Sequence, residues 1–187
     1  MPRTTRRRFL QASSAIGASF FIGGTKSSGN IIGANDRLRI AVIGLNGRGG
    51  SHINGWKQQK NVEIAYVVDP DKGVLGRRLK SVQGTFKNCQ GAKDVRTILE
   101  DKNLDAISIA APNHWHSLMT IWGAQAGKHV YVEKPMSHDI AEGRVAVEAQ
   151  KKYGVVVQHG TQRRSNAGIA ALHEALQTGK LPRLKIA

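Results

Sequence analysis

The chain has 187 residues, 40% hydrophobic and 22% charged, which is typical of a globular protein and excludes a disordered or fibrous one. Its net charge is +15, but the basic residues are scattered and are not interleaved with aromatic residues. We therefore expect no nucleic-acid partner. The positive electrostatic field would still favour an anionic ligand. The single cysteine, Cys89, excludes an internal disulfide.

Residues 1–34 are predicted to be an export signal and linker. Thr5–Gln11 follows the twin-arginine pattern, and the apolar run Ala12–Gly24 is shorter than the ~20 residues that span a bilayer. We therefore expect the twin-arginine translocase as a partner, membrane contact only during export, and a periplasmic or secreted location. The alternatives are a disordered basic tail and an uncleaved anchor.

From Leu38 onward, apolar strands alternate with amphipathic helices. The first half is predicted to contain strand Leu38–Ile43, helix Ser51–Gln58, strand Val62–Val68, helix Asp71–Val82, a loop or irregular strand in Gly84–Lys93, helix Asp94–Asp101 and strand Ala106–Ala111. The second half is predicted to contain helix His116–Ala126, strand Val130–Val132, helix Asp139–Tyr153, strand Val155–His159, helix Asn166–Thr178 and the start of a strand at Leu184–Ala187.

This alternation predicts the α/β class, with a Rossmann-type doubly wound parallel sheet covered by helices on both faces. In such sheets, ligands bind at the carboxyl ends of the strands, where the strand order reverses. In the helix Asn166–Thr178, we expect Ile169, Leu172 and Leu176 to face inward.

A glycine-rich loop follows the first strand, as Gly44-Leu45-Asn46-Gly47-Arg48-Gly49-Gly50. It has one residue more between the first two glycines than the G-x-G-x-x-G pattern. Such a loop can turn tightly off the strand and bring backbone N–H groups and a helix N-terminus to a pyrophosphate. Gly44, Asn46, Gly47, Arg48 and Gly49 are therefore candidate cofactor-binding residues.

Asp69 ends the second strand, about 20 residues beyond the glycines, where a carboxylate would bind ribose hydroxyls. The alternative is a structural turn with a helix-capping aspartate. A carboxylate repels a 2′-phosphate, so Asp69 favours NAD over NADP as the cofactor. The nearby Lys72, Arg77 and Arg78 could offset that repulsion.

Two further motifs follow the next strands, Pro112-Asn113-His114-Trp115-His116 and Glu133-Lys134-Pro135. Their positions predict that they lie beside the nicotinamide half of the cofactor. The residues expected to contact it are Pro112, Asn113, His114, His116, Glu133 and Lys134. The two histidines form a bare H-x-H pair without a third ligand, which does not predict a metal site.

With these motifs and Gly160-Thr161-Gln162-Arg163-Arg164, the chain from about Leu38 onward resembles the Gfo/Idh/MocA oxidoreductases, in particular a secreted branch with sugar oxidoreductases and NAD-dependent glycosidases. The resemblance implies hydride transfer between NAD and a hydroxyl carbon of a sugar or cyclitol. It makes Lys134 the catalytic residue, which would polarise or help deprotonate that hydroxyl. Glu133 would orient Lys134, and Pro135 would fix the backbone.

The family also has a second, α+β domain that supplies most substrate contacts, and we expect it to be missing or only begun here. The expected organisation is signal and linker in 1–34, the NAD-binding domain in 35–160, and a connecting helix with the start of a truncated second domain in 161–187. Pro182-Arg183 stands where the family tends to have glycine and an acidic residue. The open alternatives are a glycosidase of the same fold, a non-catalytic dinucleotide-binding remnant and an exported polyanion-binding protein.

Overall fold

A computed structural model describes residues 37–180. The predicted export signal and the strand predicted at Leu184–Ala187 lie outside the described residues. The strands are β1 (Leu38–Ile43), β2 (Val62–Val68), β3 (Gln90–Ala92), β4 (Ala106–Ile109), β5 (His129–Glu133) and β6 (Val157–Gly160). The helices are α1 (Arg48–Lys57), α2 (Lys72–Gln83), α3 (Val95–Leu99), α4 (Asn113–Gln125), α5 (Ile140–Tyr153) and α6 (Ala167–Gln177), with a short 3₁₀ helix at Gln162–Ser165.

The six strands form one parallel sheet in the order β3-β2-β1-β4-β5-β6. The chain runs outward from β1 to β3, then returns to the other side of β1 and runs outward again from β4 to β6. The doubly wound parallel sheet predicted from the alternating pattern is therefore confirmed. Its order reverses between β1 and β4, which makes that junction the expected ligand site.

Alternate residues of the central strands feed two separate apolar layers, as the period of two in a strand requires. On one face, Ile43, Ile107, Ile109 and Val132 pack in a buried cluster with residues of α3. On the other face, Ile40, Val42, Ile64 and Val67 pack with Ile53 of α1 and with Val74 and Val82 of α2. These two layers hold the carboxyl ends of β1, β2 and β4 at one edge of the sheet.

Two helices begin three residues earlier than the sequence pattern predicted. Helix α1 begins at Arg48 rather than Ser51, and α4 begins at Asn113 rather than His116. Glycine disfavours helix interiors, which is why a helix start inside the glycine run was not expected. Gly49 is nevertheless required there, because a Cβ on it would lie 1.8 Å from the carbonyl oxygen of Gly44.

Helix α6 differs from its prediction in what its apolar face contacts. None of its residues is buried, and Ile169 and Leu172 are 39% and 51% exposed. The expectation that Ile169, Leu172 and Leu176 face inward is therefore wrong for the part of the chain that the structure describes. The spacing of these residues correctly predicted a helix, but periodicity alone does not identify what an apolar face packs against. Between residues 37 and 180, no helix has the length and apolarity needed to cross a membrane.

Candidate functional site

A cavity of about 630 Å³ lies at the junction of β1 and β4, where the strand order reverses. Its walls come from the ends of β1 and β2, the loop before α3, and the residues that follow β4. The lining includes Gly44, Asn46, Asp69, Pro70, the stretch Lys93–Arg96, Ala110, Ala111, Pro112, Trp115 and Trp122. Four sequence-predicted cofactor residues, Gly44, Asn46, Asp69 and Pro112, are therefore brought together in one crevice.

The glycine loop has backbone conformations and close approaches that only glycine accommodates easily. Gly44 has φ 79° and its N–H donates to the carbonyl oxygen of Val68, while Gly47 has φ 50° and ψ −116°. A Cβ on Gly44 would lie 2.6 Å from the backbone nitrogen of Ala111, whereas a Cβ on Gly47 would meet nothing within 4 Å. The loop thus packs tightly against the residues that follow β4 on one side and leaves open space at Gly47, in front of α1.

The N-terminus of α1 is not capped by any described side chain, and its first turn contains no acidic residue. In contrast, α2, α3, α5 and α6 are each capped by a side chain, from Asp71, Asp94, Asp139 and Asn166 respectively. Uncapped first-turn N–H groups and the positive end of the helix dipole attract anions. The arrangement fits a diphosphate in front of α1.

Asp69 is 7% exposed and lies where β2 meets the cavity. Its Oδ2 accepts a hydrogen bond from the N–H of Leu45 at 2.8 Å, and its Oδ1 accepts one from the N–H of Asp71 at 3.0 Å. The cap of α2 is Asp71, whose carboxylate accepts from the N–H groups of Gly73 and Val74. The alternative of Asp69 as a helix cap is therefore wrong, and its carboxylate lines the crevice instead.

The residues after β4 differ in whether they line the cavity. Trp115 lines the cavity and its ring lies 6.4 Å from that of Trp122, over which the Arg96 guanidinium lies at 5.9 Å. Asn113 and His114 are exposed at the first turn of α4. The two tryptophan rings thus form an aromatic part of the crevice lining.

His116 does not contact the crevice, contrary to its prediction as a cofactor residue. It is 1% exposed, its Nδ1 lies 2.6 Å from the carbonyl oxygen of Pro135, and its Nε2 lies 2.8 Å from that of Ala111. The ring therefore joins the loop after β4 to the loop after β5. These contacts position the Lys134–Pro135 segment relative to the residues after β4.

Glu133 is buried, at 5% exposed, and accepts four hydrogen bonds. Donors to it are Arg48 Nε at 2.8 Å, His52 Nε2 at 3.2 Å, Gln162 Nε2 at 2.5 Å and the N–H of Lys134 at 3.1 Å. Burial alone would raise the pKa of Glu133, but the hydrogen bonds from Arg48, His52 and the Lys134 amide outweigh it and hold the pKa at about 2. Glu133 is thus a permanent anion next to the predicted catalytic lysine.

Lys134 lies at the carboxyl end of β5 with an exposed side chain, and it does not line the crevice. The expectation that Glu133 orients Lys134 needs a correction of detail, because Glu133 binds the backbone N–H of Lys134 while its carboxylate pairs with Arg48 and His52. The lysine backbone is therefore fixed, and its side chain is exposed.

A chain of buried polar residues behind Glu133 was missed by the sequence reasoning. The indole N–H of Trp56 donates to Ser108 Oγ at 3.0 Å, and Ser108 Oγ lies 2.9 Å from His52 Nδ1. Because the ionised Glu133 can only accept, His52 carries its proton on Nε2, and in a neutral ring Nδ1 then accepts the Ser108 hydroxyl proton. The only sequence signal was Ser108, a polar residue within an apolar strand.

Burial lowers the pKa of His52, and its contact with Glu133 only partly offsets that effect. With a neutral His52 ring, Trp56 donates to Ser108, Ser108 donates to His52, and His52 donates to Glu133. The network connects α1, β4 and β5, and so ties the glycine-loop helix to the strand that carries Lys134.

Comparison with known proteins agrees with this geometry. Residues 38–161 match the family described as GFO_IDH_MocA, an oxidoreductase family with an NAD-binding Rossmann fold. The chain is 32% identical over 144 residues to myo-inositol 2-dehydrogenase of Thermotoga maritima, covering 77% of this chain and 42% of the relative. It is 30% identical over 124 residues to a glycosyl hydrolase family 109 protein of Shewanella pealeana, covering 64% of this chain and 27% of the relative.

Among solved structures, a probable dehydrogenase from Thermotoga maritima superposes with a TM-score of 0.67 at 30% identity, covering 76% of this chain and 42% of that one. The chain thus spans about two fifths of the length of such relatives. The family match over residues 38–161 covers the whole sheet and every motif around the crevice. The chain therefore belongs to the GFO/IDH/MocA family of oxidoreductases, and residues 38–161 are its NAD-binding Rossmann domain.

Proposed function

We propose that this chain is the cofactor-binding part of an oxidoreductase that transfers hydride between NAD and a hydroxyl carbon of a sugar or cyclitol. The observation that carries the proposal is the meeting of Asp69, the glycine-loop residues Gly44 and Asn46, and the loop after β4 around one cavity at the strand-order reversal, with the uncapped start of α1 following directly in the chain. The myo-inositol 2-dehydrogenase relative supports the cyclitol or sugar substrate. NAD, when bound, supplies the hydride acceptor.

The proposed contacts follow from the chemistry of each wall. The N–H groups in the first turn of α1, with Gly47 and Arg48, would hold the diphosphate. Asp69 would accept hydrogen bonds from the adenosine ribose hydroxyls, since each of its oxygens retains a lone pair beyond those used by Leu45 and Asp71. Pro112, Asn113 and His114 would then border the nicotinamide half.

Lys134 is proposed as the residue that exchanges a proton with the substrate hydroxyl. Its ammonium extends from a backbone that Glu133 fixes through the Lys134 N–H, while His116 fixes the next carbonyl, that of Pro135. Proximity and orientation of this kind are what a positioned acid–base group contributes to catalysis. Glu133, His52 and His116 would act through Lys134 as positioning residues.

The test combines binding and turnover in the purified chain. We expect a saturable heat of binding on titration with NAD. In any form of the enzyme that also carries a substrate-binding domain, we expect a steady rise in NADH absorbance on addition of an inositol or sugar. NAD binding without turnover of any sugar by such a form would favour a non-catalytic dinucleotide-binding protein. Absence of NAD binding would overturn the proposal.

A second candidate is an NAD-dependent glycosidase, favoured by the similarity to the glycosyl hydrolase family 109 protein. It would use the same crevice but restore its cofactor in each cycle, so its products would form without net NADH. Release of sugar from a glycoside at constant absorbance would support this candidate, and accumulation of NADH would support the dehydrogenase.

We also propose export by the twin-arginine translocase to the periplasm or beyond the cell. The support is the pattern of Thr5-Arg6-Arg7-Arg8-Phe9-Leu10, followed by a short apolar run. Replacing Arg6 and Arg7 together by lysine should retain the protein in the cytoplasm, as measured by cell fractionation. Unchanged export of that variant would contradict the proposal.

A further inference from the structure

A second hollow, of about 330 Å³, lies between α1 and β5 and is separate from the dinucleotide crevice. The two cavities share no lining residue. The residues that line the hollow are Arg48, Ser51, His52, Gly55, Trp56, Gln59 and Tyr131. Its volume is at the lower end of the range for small-molecule sites, so it suits a ligand with one ring rather than a dinucleotide.

Three aromatic residues form the inner part of this hollow, and their rings are held in place. The rings of His52 and Tyr131 meet edge to face, with centroids 5.3 Å apart. The indole N–H of Trp56 donates to Ser108 Oγ, which fixes the third ring. These three residues are buried or half-buried, whereas the other lining residues are exposed. The hollow therefore has an aromatic floor for the C–H face of a ring-shaped ligand, and a polar rim.

Hydrogen-bond donors without protein partners surround this floor. Arg48 uses only its Nε for Glu133, and its side chain is 52% exposed. In the described part of the chain, its two Nη groups and the Ser51 hydroxyl have no partner. The Tyr131 hydroxyl accepts from Gln162 Nε2 at 3.3 Å and retains its own proton to donate. These groups favour a ligand that is rich in hydrogen-bond acceptors.

The charge of the lining favours an anionic acceptor. Arg48 carries the only formal charge among the lining side chains, because burial lowers the pKa of His52 and keeps its ring neutral. Between residues 37 and 180, no carboxylate lines the hollow. Glu133 pairs with Arg48 but is buried and already accepts four N–H groups. The guanidinium is thus fixed through Nε, while its two Nη groups can bind a carboxylate in a bidentate manner.

We propose that this hollow binds a monosaccharide that carries a carboxylate, at a site separate from the dinucleotide crevice. The carboxylate would pair with the Nη groups of Arg48, and the sugar ring would pack on Trp56 and Tyr131. Ser51 and Gln59 would form hydrogen bonds with ring hydroxyls. A neutral sugar lacks the charge-assisted hydrogen bonds to Arg48, so the site discriminates in favour of the acid.

The test is an NMR titration of the isotope-labelled 187-residue chain with glucuronate, glucose and acetate. These probes separate a ring that carries a carboxylate from the ring alone and from the carboxylate alone. We expect glucuronate to shift the Trp56 indole N–H saturably and to bind at least about tenfold more tightly than glucose or acetate. Equal affinity for glucuronate and either of the other two probes would overturn the inference.

Two variants of α1 test the location. Gly55→Leu should weaken glucuronate binding by at least about tenfold, because a Cβ at this lining position meets nothing within 4 Å and the larger side chain can occupy the hollow. The matched control is Asn54→Leu, which adds the same side chain at an exposed position outside the lining. It should change binding by less than about twofold. Unchanged binding in the Gly55 variant, or an equal loss in the Asn54 variant, would contradict the assignment to this hollow.

The role of Arg48 is tested by Arg48→Lys, which keeps the charge but removes the paired Nη groups. This variant should lose most of the preference for glucuronate over glucose, and a retained preference would contradict the proposed pairing. Calorimetric titration of the same proteins with NAD reports on the crevice separately. NAD binding without glucuronate binding would overturn only this inference, whereas glucuronate binding without NAD binding would overturn only the proposed function.

Discussion

Arg48 Nε lies 2.8 Å from Glu133 Oε1, across 85 positions of sequence, and joins the helix after the glycine loop to the strand that precedes Lys134. His52, one helical turn further along α1, approaches the same carboxylate oxygen at 3.2 Å. The proposed diphosphate site and the proposed catalytic lysine are therefore connected through one buried anion.

Replacement of Glu133 by glutamine should lower stability and flatten its dependence on acid pH. The folded-state pKa of about 2 lies below the ordinary 4.5, so the stabilisation is fully present above about pH 4.5 and is lost as the pH falls from there towards 2. The full shift of the pKa corresponds to roughly 3 kcal/mol. Urea unfolding of both proteins between pH 3 and 7 measures it, and parallel acid limbs would contradict the expectation.

His52 should titrate below its ordinary value of 6.5, because burial disfavours its charged form. Protonation then favours the unfolded chain, so this group's contribution to stability is present above about pH 6.5 and decreases as the pH falls below it. NMR titration of the ring should also find the proton on Nε2, because Glu133 can only accept, so that Nδ1 accepts from Ser108 in the chain of hydrogen bonds that begins at Trp56. An Nδ1–H tautomer would contradict the direction assigned to that chain.

Asp69→Ala should weaken NAD binding by about tenfold or more, since a carboxylate that accepts two ribose hydroxyls contributes charge-assisted hydrogen bonds. Because the change also removes the partner of the Leu45 N–H, its control must account for lost stability. Asp71→Ala is a suitable control for lost stability. It removes the side-chain cap of α2, which costs about 1 kcal/mol of stability, and Asp71 does not line the crevice. Calorimetry well below both unfolding temperatures should detect weakened binding only in the Asp69 variant.

Gly49→Ala should abolish NAD binding and destabilise the fold. The added Cβ would lie 1.8 Å from the Gly44 carbonyl oxygen, so the loop or α1 must move. Gly55→Ala is the matched control on the same helix, because a Cβ there meets nothing within 4 Å. It should stabilise the chain by about 0.5–1 kcal/mol and preserve binding. Similar behaviour of the two variants would show that the close approach at Gly49 is not needed.

Lys134→Ala should preserve NAD binding, since this side chain does not line the crevice. In a form of the enzyme with turnover, it should abolish hydride transfer, since the proposed proton exchange with the substrate hydroxyl would be lost. Calorimetry and NADH absorbance on the same preparation separate the two effects. An equal loss of binding in the Lys134 and Asp69 variants would contradict the different roles assigned to them.

The sheet and its glycine loop were predictable because each depends on local pattern. Apolar runs such as Leu38–Ile43, separated by helical periodicity, predict parallel strands, and glycines between the first strand and helix predict a phosphate-binding turn. The position of Asp69 at a strand end placed its carboxylate at the correct edge of the sheet. Crossover topology then placed the loop after β4 opposite it.

The buried network was not predictable, because its members interact only through the fold. His52 and Glu133 are 81 positions apart, and His52 and Ser108 are 56 apart, with no spacing rule to relate them. His116 was assigned to the cofactor from its motif, but the fold buries it between two carbonyl oxygens. Sequence position locates a residue at a sheet edge, whereas its contacts depend on neighbours that only the folded chain brings together.

The most direct test of the account is an amide NMR titration of the chain with NAD. We predict saturable chemical-shift changes at the backbone N–H groups of Asn46–Gly50, Asp69 and Asn113, around the crevice. Perturbations absent from the start of α1 at saturating NAD, or confined to a surface remote from the β1–β4 junction, would contradict the central claim that this crevice holds the dinucleotide.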